Sequence, residues 1–408
     1  MKKVLAIILC VVLVLALAAC ASQSSSTPAP AESAAPAPSE SAAPAPAESA
    51  APAPSESAAP AESAAPAESA APASGEKLKI AHVVPSYAIG WNHNMAAAFE
   101  RMQDAYNFEL VRVDTNMSNE EYINQIDILG TQGIDGMIIM CTPEIEARCY
   151  EVASEYGMAV ISDAEDINDP ETGKIMTPGA GFDAAGLGEQ ASTWLCENYK
   201  TYWGDDVDTS TIGFIQVIHS SMETMIIRGA AAQETFLKYF PDNQVFTSDL
   251  LSTGGMDASA SMDATSPIVV AHPEIEHWMV VGVQEVYCSG VLRLAEQLGW
   301  DSSKMLIFGI GGEEFVLTEI ESGYDPSTGA WVASSWVSAI SFARLELPAL
   351  VDVIRGNTTM EELWPEERKP GETYTALYLR GPVITADNWE EVVTTEEAEF
   401  AELCAGRA

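Results

Sequence analysis

The sequence predicts an α/β protein built as two Rossmann-like, doubly wound lobes. Three observations carry this. From Lys77 onward, short apolar runs alternate with stretches of helical spacing. The runs are continuous in apolar residues, as parallel strands covered on both faces require. The series then stops and resumes within a body of about 330 residues, enough for two lobes of ordinary size. Repeated β-α units of this kind form open parallel sheets, and ligands of such sheets bind beyond the carboxyl ends of the strands.

Taken in order, "KLKIAHVV" reads as the first strand, "PSYAIG" as a turn and "WNHNMAAAFERMQDAY" as a helix. "FELVRVD" and "IDGMIIM" are the next strands, separated by the helical "NEEYINQIDILGTQG". "EIEARCYEVASEYG" adds a helix and "MAVIS" a fourth strand. "STIGFIQVI", "EHWMVVG", "MLIFGIGG" and "GAWVASS" begin a second set, each followed by a helical stretch.

Ahead of the body, Met1-Lys2-Lys3 is a basic head and Val4 to Ala19 an almost unbroken apolar run. The run is short for a membrane span, which needs about 20 apolar residues, and has the layout of an export signal. An ordinary cleaved signal is one reading. The other is that Leu17-Ala18-Ala19-Cys20 resembles the lipobox of bacterial lipoproteins, which implies cleavage after residue 19 and a lipid on Cys20. Residues 20–75 then repeat blocks such as "APAPSESA", without aromatics. Such a tract cannot bury enough apolar surface to order itself, so a disordered Ala/Pro/Ser/Glu spacer is expected. A spacer and a neutral tail both remain open as readings of it.

Formal net charge is −41, from 60 acidic and 19 basic residues. Nucleic acid is excluded as a partner, because phosphate contacts need clustered Lys and Arg. Cys141, Cys149, Cys196, Cys288 and Cys404 have no paired spacing and read mostly as buried small hydrophobes, with one disulfide left open. His272 and His277 in "HPEIEH" do not make a metal site, and the glycines of "GIGGEEF" lack the GK[ST] ending of a phosphate loop. No cofactor is expected.

"VVPSYAIGWNHNM", "IIMCTPEIEA", "YGMAVISDAED", "HPEIEHWMVVGVQE", "LIFGIGGEEF" and "VITADNWEEV" together resemble the periplasmic sugar-binding proteins of the ribose/arabinose type. The resemblance runs from about Lys77 to Val393 and rests on the order of these pieces. It implies a type I periplasmic binding protein: two lobes joined by a three-crossover hinge, here 76–182 plus 335–372 and 183–334 plus 373–408. It also implies a monomeric, non-enzymatic receptor that captures a small ligand, a monosaccharide or related sugar, and hands it to the permease of an ABC importer. With Cys20 as anchor, the receptor would sit on the outer face of a Gram-positive cell membrane.

The resemblance places Trp91 where a ring stacks on sugar, with Tyr87 as a companion in the preceding loop. Glu165 falls on the second of two family aspartates; Ala164 replaces the first, and Asp163 stands beside them. Phe182, Gln284 and Glu314 match pocket positions, and Trp336 lies near a crossover. Pro85 replaces a family lysine. Ile226 falls on a family arginine, with Arg228 two residues on, so the pocket is expected to lack two cationic donors. Each residue also has a plainer reading, as core aromatic, helix cap or solvated acid. Two rival functions stay open: a receptor feeding a membrane sensor, and a surface hydrolase acting on glycans.

Overall fold

The structure is a computed structural model and describes residues 75–405. The signal, Cys20 and the spacer lie outside the described residues. Among the described residues no helix is long and apolar enough to cross a membrane.

The first lobe begins with β1 (Leu78–Val84), β2 (Phe108–Asp114), β3 (Gly136–Ile139), β4 (Ala159–Ala164) and β5 (Gly179–Phe182). Between them run α1 (Gly90–Tyr106), α2 (Asn119–Thr131) and α3 (Glu146–Glu155). The chain then crosses at Asp183, whose carboxylate accepts from Gly186 N at 3.0 Å and so caps α4 (Ala184–Trp203). The second lobe adds β6 (Ile212–Ile218), β7 (Val245–Asp249), β8 (His277–Gly282), β9 (Met305–Gly311) and β10 (Trp331–Trp336). Its helices are α5 (Glu223–Tyr239), α6 (Ala258–Ala271) and α7 (Glu285–Leu298), with a π-helical segment at Glu314–Ile320.

After β10 the chain returns to the first lobe as α8 (Ala339–Ile354), capped by Ser338, and then as β11 (Ala376–Leu379). It crosses a third time to β12 (Val383–Thr385) and ends in α9 (Trp389–Ala405). The sheet orders are β11-β5-β4-β3-β1-β2 and β12-β10-β9-β8-β6-β7. All pairs are parallel except β10 with β12. These are the two doubly wound lobes expected from the sequence.

Two boundaries differ from that expectation. Ser335 and Trp336 pair with β9 and belong to the second sheet. Ala376–Leu379 pairs with β5, from Ala376↔Gly179 to Leu379↔Phe182, and belongs to the first. The third crossover is therefore Arg380–Pro382. Gln190 of α4 ties this hinge together: its Oε1 accepts from Ser335 Oγ at 2.7 Å, and its Nε2 donates to the Gly381 carbonyl at 3.0 Å.

Cores lie on both faces of the sheets. Met95, Phe99, Met102 and Tyr106 of α1 recur every three or four residues and are buried against β1 and β2. On α8, Phe342, Leu350 and Ile354 form a row of buried residues four apart, and Glu346 occupies the remaining place in it. α9 spans the lobes. Trp389, Val392 and Val393 pack on the second-lobe core, whereas Phe400, Leu403 and Cys404 pack with α1 and α8.

Candidate functional site

The carboxyl ends of the two sheets and the crossovers bring one set of side chains together. Trp91 opens α1. Its indole Nε1 donates to Asp163 Oδ2 at 3.2 Å. Its ring packs on Phe182 at 5.1 Å and edge-on against Phe342 at 4.9 Å, centroid to centroid. Phe182 ends β5 at the first crossover, and Phe342 sits in the first turn of α8 after the second. The aromatic cluster is thus assembled by the hinge itself.

Asp163 follows Ile161 on one face of β4, since side chains two apart point the same way. Asp163 is 0% exposed, and its Oδ1 has no hydrogen-bond partner. Burial pushes its carboxyl up to about 7, the Trp91 bond opposes the rise, and the nearby Glu165 adds to it. The strand ends in a tight turn: Ala164 has φ 65°, and Glu165 N donates to the Asp163 carbonyl at 2.8 Å. Glu165 then meets the second lobe, accepting from Thr224 Oγ1 at 3.1 Å. Burial raises the Glu165 carboxyl, while the Thr224 bond and the Arg228 charge lower it.

Arg228, on α5, supplies the cation. Its Nη1 donates to the Val283 carbonyl at 3.0 Å, and its guanidinium lies 4.6 Å over the Phe182 ring. Burial lowers it to about 10, so it stays protonated at neutral pH. Gln284, just before α7, is half-buried and makes no side-chain hydrogen bond among the described residues. Glu313 makes the second link between lobes. Its Oε2 accepts from Asn94 Nδ2 of α1 at 2.6 Å and its Oε1 from Ala339 N at 2.9 Å. Behind it, the buried Glu285 accepts from Glu314 N at 2.8 Å and from Ser334 Oγ at 2.5 Å, which fixes the loop after β9.

Such a set suits a small polar ligand with a ring. Aromatic faces cover C–H surface, and carboxylates and a guanidinium give charge-assisted bonds to hydroxyls. Residues 77–311, more than half the chain, match the family of periplasmic binding proteins and the sugar binding domain of the LacI family. The chain belongs to that family.

Two curated relatives of this periplasmic binding protein match most of their own length. An ABC transporter L-arabinose-binding periplasmic protein of Azospirillum brasilense is 24% identical over 321 residues, 77% of this chain and 88% of the relative. The L-arabinose-binding periplasmic protein of Escherichia coli (strain K12) is 25% identical over 246 residues, 59% of this chain and 72% of the relative. Among solved structures, a Caulobacter myo-inositol binding protein bound to myo-inositol aligns with a TM-score of 0.59 and 16% identity. That alignment covers 78% of this chain and 96% of the Caulobacter chain, and at this identity it speaks for the fold. These relatives are solute-binding proteins and not enzymes.

Within this periplasmic binding protein, Trp91, Asp163, Glu165 and Phe182 lie together, Arg228 joins them from the second lobe, and Gln284 has its amide free. Three other expected site residues are turned elsewhere. The Tyr87 hydroxyl is held by His82, 3.1 Å from Nδ1 and 3.0 Å from the carbonyl, and its ring lies under Arg112 at 4.2 Å, which pulls it to the β2 edge. Glu314 bonds back to Thr318 on its own helix, and Glu313 takes the bridging place. Trp336 is buried against α9, its Nε1 donating to Glu396 Oε2 at 2.8 Å. Gly312, at φ 96°, leaves room for that ring, since a Cβ there would lie 2.5 Å from Trp336 Cε3.

The expected loss of a cation at Ile226 is also corrected: Ile226 is 43% exposed, and the helix turns Arg228 inward in its stead. His272 pairs with Glu274, and the His277 ring packs at a tilt on Trp203, 4.7 Å between centroids. Asn94, Thr224, Glu313 and Glu346 were missed. Glu346 did leave a trace, as an acid at the apolar spacing of "AISFARLELPALVDVI".

Proposed function

We propose that this chain is a lipid-anchored extracellular receptor that captures a sugar by hinge closure and delivers it to an ABC importer. The observation that carries the reading is the aromatic and carboxylate site at the crossovers, where Trp91, Phe182 and Phe342 meet Asp163 and Arg228. Ligand contacts drawn from both lobes would favour the closed state over the open one. The arabinose-binding relatives support a monosaccharide as the ligand and an ABC permease as the partner. The lipobox-like Leu17-Ala18-Ala19-Cys20 supports the anchor and an outer-face location. Trp91, Glu165, Phe182, Arg228 and Gln284 are the residues assigned to the ligand.

A thermal-shift screen of the full chain against sugars and polyols tests this reading, because a ligand that binds only the folded form raises Tm. Replacing Trp91 or Glu165 with Ala should weaken the best hit at least about tenfold, equivalent to 1.4 kcal/mol. Unchanged affinity in both variants would refute the assignment of this site.

A further inference from the structure

We infer that the ligand is an amine-bearing sugar, whose protonated amine is held at Asp163 in the shadow of Trp91. The inference rests on the sugar-receptor reading above and narrows it.

The argument is one of charge and donor balance. Asp163, Glu165, Glu313 and Glu346 are carboxyl groups of the site and its floor. Three of them are met by neutral donors: Trp91 Nε1 on Asp163, Thr224 Oγ1 on Glu165, and Asn94 Nδ2 with Ala339 N on Glu313. The guanidinium of Arg228 is committed to the Val283 carbonyl and the Phe182 ring, and it acts on Glu165.

Asp163 and Glu346 are each 0% exposed and have no salt bridge among the described residues. Asp163 Oδ1 and both Glu346 oxygens have no hydrogen-bond partner, and neither does Asn92 Oδ1, next to Trp91. Four acceptors thus lack partners on the first-lobe side of the site, against Arg228 Nε and the free amide of Gln284 on the second-lobe side.

A hydroxyl brings a donor and an acceptor together, so a neutral sugar leaves such an imbalance in place. An ammonium brings three donors, no acceptor and a charge. Buried carboxylates are costly unless paired, and a charge-assisted bond is the strongest way to pair one. The aromatic faces add to the same preference, because a cation close to Trp or Phe rings is attracted by their π-electrons. Trp91, Phe182 and Phe342 lie within 5.1 Å of one another beside Asp163. Glu346 stands in the buried row of α8 that begins at Phe342, and both of its oxygens lack a partner.

The test is calorimetry on the full-length wild-type chain with matched pairs: D-glucosamine against D-glucose and D-galactosamine against D-galactose, with the N-acetylated forms as uncharged controls. The expected result is that one amine binds at least about tenfold more tightly than its hydroxyl and N-acetyl counterparts, in line with a charge-assisted contact. A neutral sugar bound as tightly as its amine overturns this inference and leaves the sugar receptor intact. Binding of no sugar in either form overturns both. The comparison between ligands needs no variant, so a folding defect in a mutant cannot decide it.

Discussion

Replacing Asp163 with Asn removes one ionisable group from the floor of the cleft at almost constant shape. The amide oxygen can still accept from Trp91 Nε1, so the 3.2 Å bond has a successor. What changes is the response to pH. Burial lifts this carboxyl from an ordinary 3.8 to about 7. A carboxyl raised in the folded state favours the protonated fold. Its contribution is fully present below about pH 4 and is lost as pH climbs through 7. Integrated between pH 5 and pH 8, that loss is about 2–3 kcal/mol. Glu165 on the same loop, Glu346 on α8, Tyr122 on α2 and the Trp91 N–H on α1 are the groups that act on Asp163 or feel it. Urea unfolding of wild type and Asp163→Asn at the two pH values gives the difference directly. The variant should gain on the wild type by about 2–3 kcal/mol on going from pH 5 to pH 8. If both proteins lose the same stability across this window, Asp163 does not titrate there, and the account of a desolvated carboxyl fails.

Other perturbations test the frame around the site. Phe400→Ala should cost about 3–5 kcal/mol, the usual range for emptying a buried aromatic position, because Phe400 is 0% exposed. Glu397→Ala, which removes the partner of Arg101, should cost under about 1 kcal/mol, since both side chains are more than 40% exposed; equal losses in the two melts would contradict this division. Ala164→Gly relieves a left-handed conformation that costs an L residue roughly 1–2 kcal/mol and adds about 0.5–1 kcal/mol of chain entropy. Its Tm should therefore be unchanged or slightly raised, and a clear fall would mean that the Ala164 methyl is needed for packing.

The sequence spoke most clearly where a strand is buried on both faces. "IGFIQVI" is buried at every position, so its apolar run is continuous and unmistakable. β11 and β12 are four and three residues long and flank "RGP", too brief for any period to register, and the last crossover was misjudged with them. At the site, Trp91 and Asp163 were readable because one opens the helix after β1 and the other sits at the carboxyl end of β4, where an open sheet binds ligands. Helical phase was not readable. Glu313 and Glu314 differ by one position, as Ile226 and Arg228 differ by two, and only packing decides which of each pair turns inward. Trp336 and Tyr87 misled for another reason. Both are large rings near the cleft whose polar atoms found internal partners, Glu396 and His82. Glu346 was passed over because an acid on a helix ordinarily marks the solvent side.

The path of α9 has a mechanical consequence. Described chain enters through β1 in the first lobe, and α9 brings it back to finish there against α1 and α8. Both handles of the body therefore belong to the same half. If the proposed anchor holds the chain ahead of Gly75, a pull there acts on that half alone, and movement of the other half does no work against it. For the same reason, a pair of fluorophores fused to the two ends would report a nearly constant distance throughout a binding cycle. A sensor built on this scaffold needs one label on the second lobe.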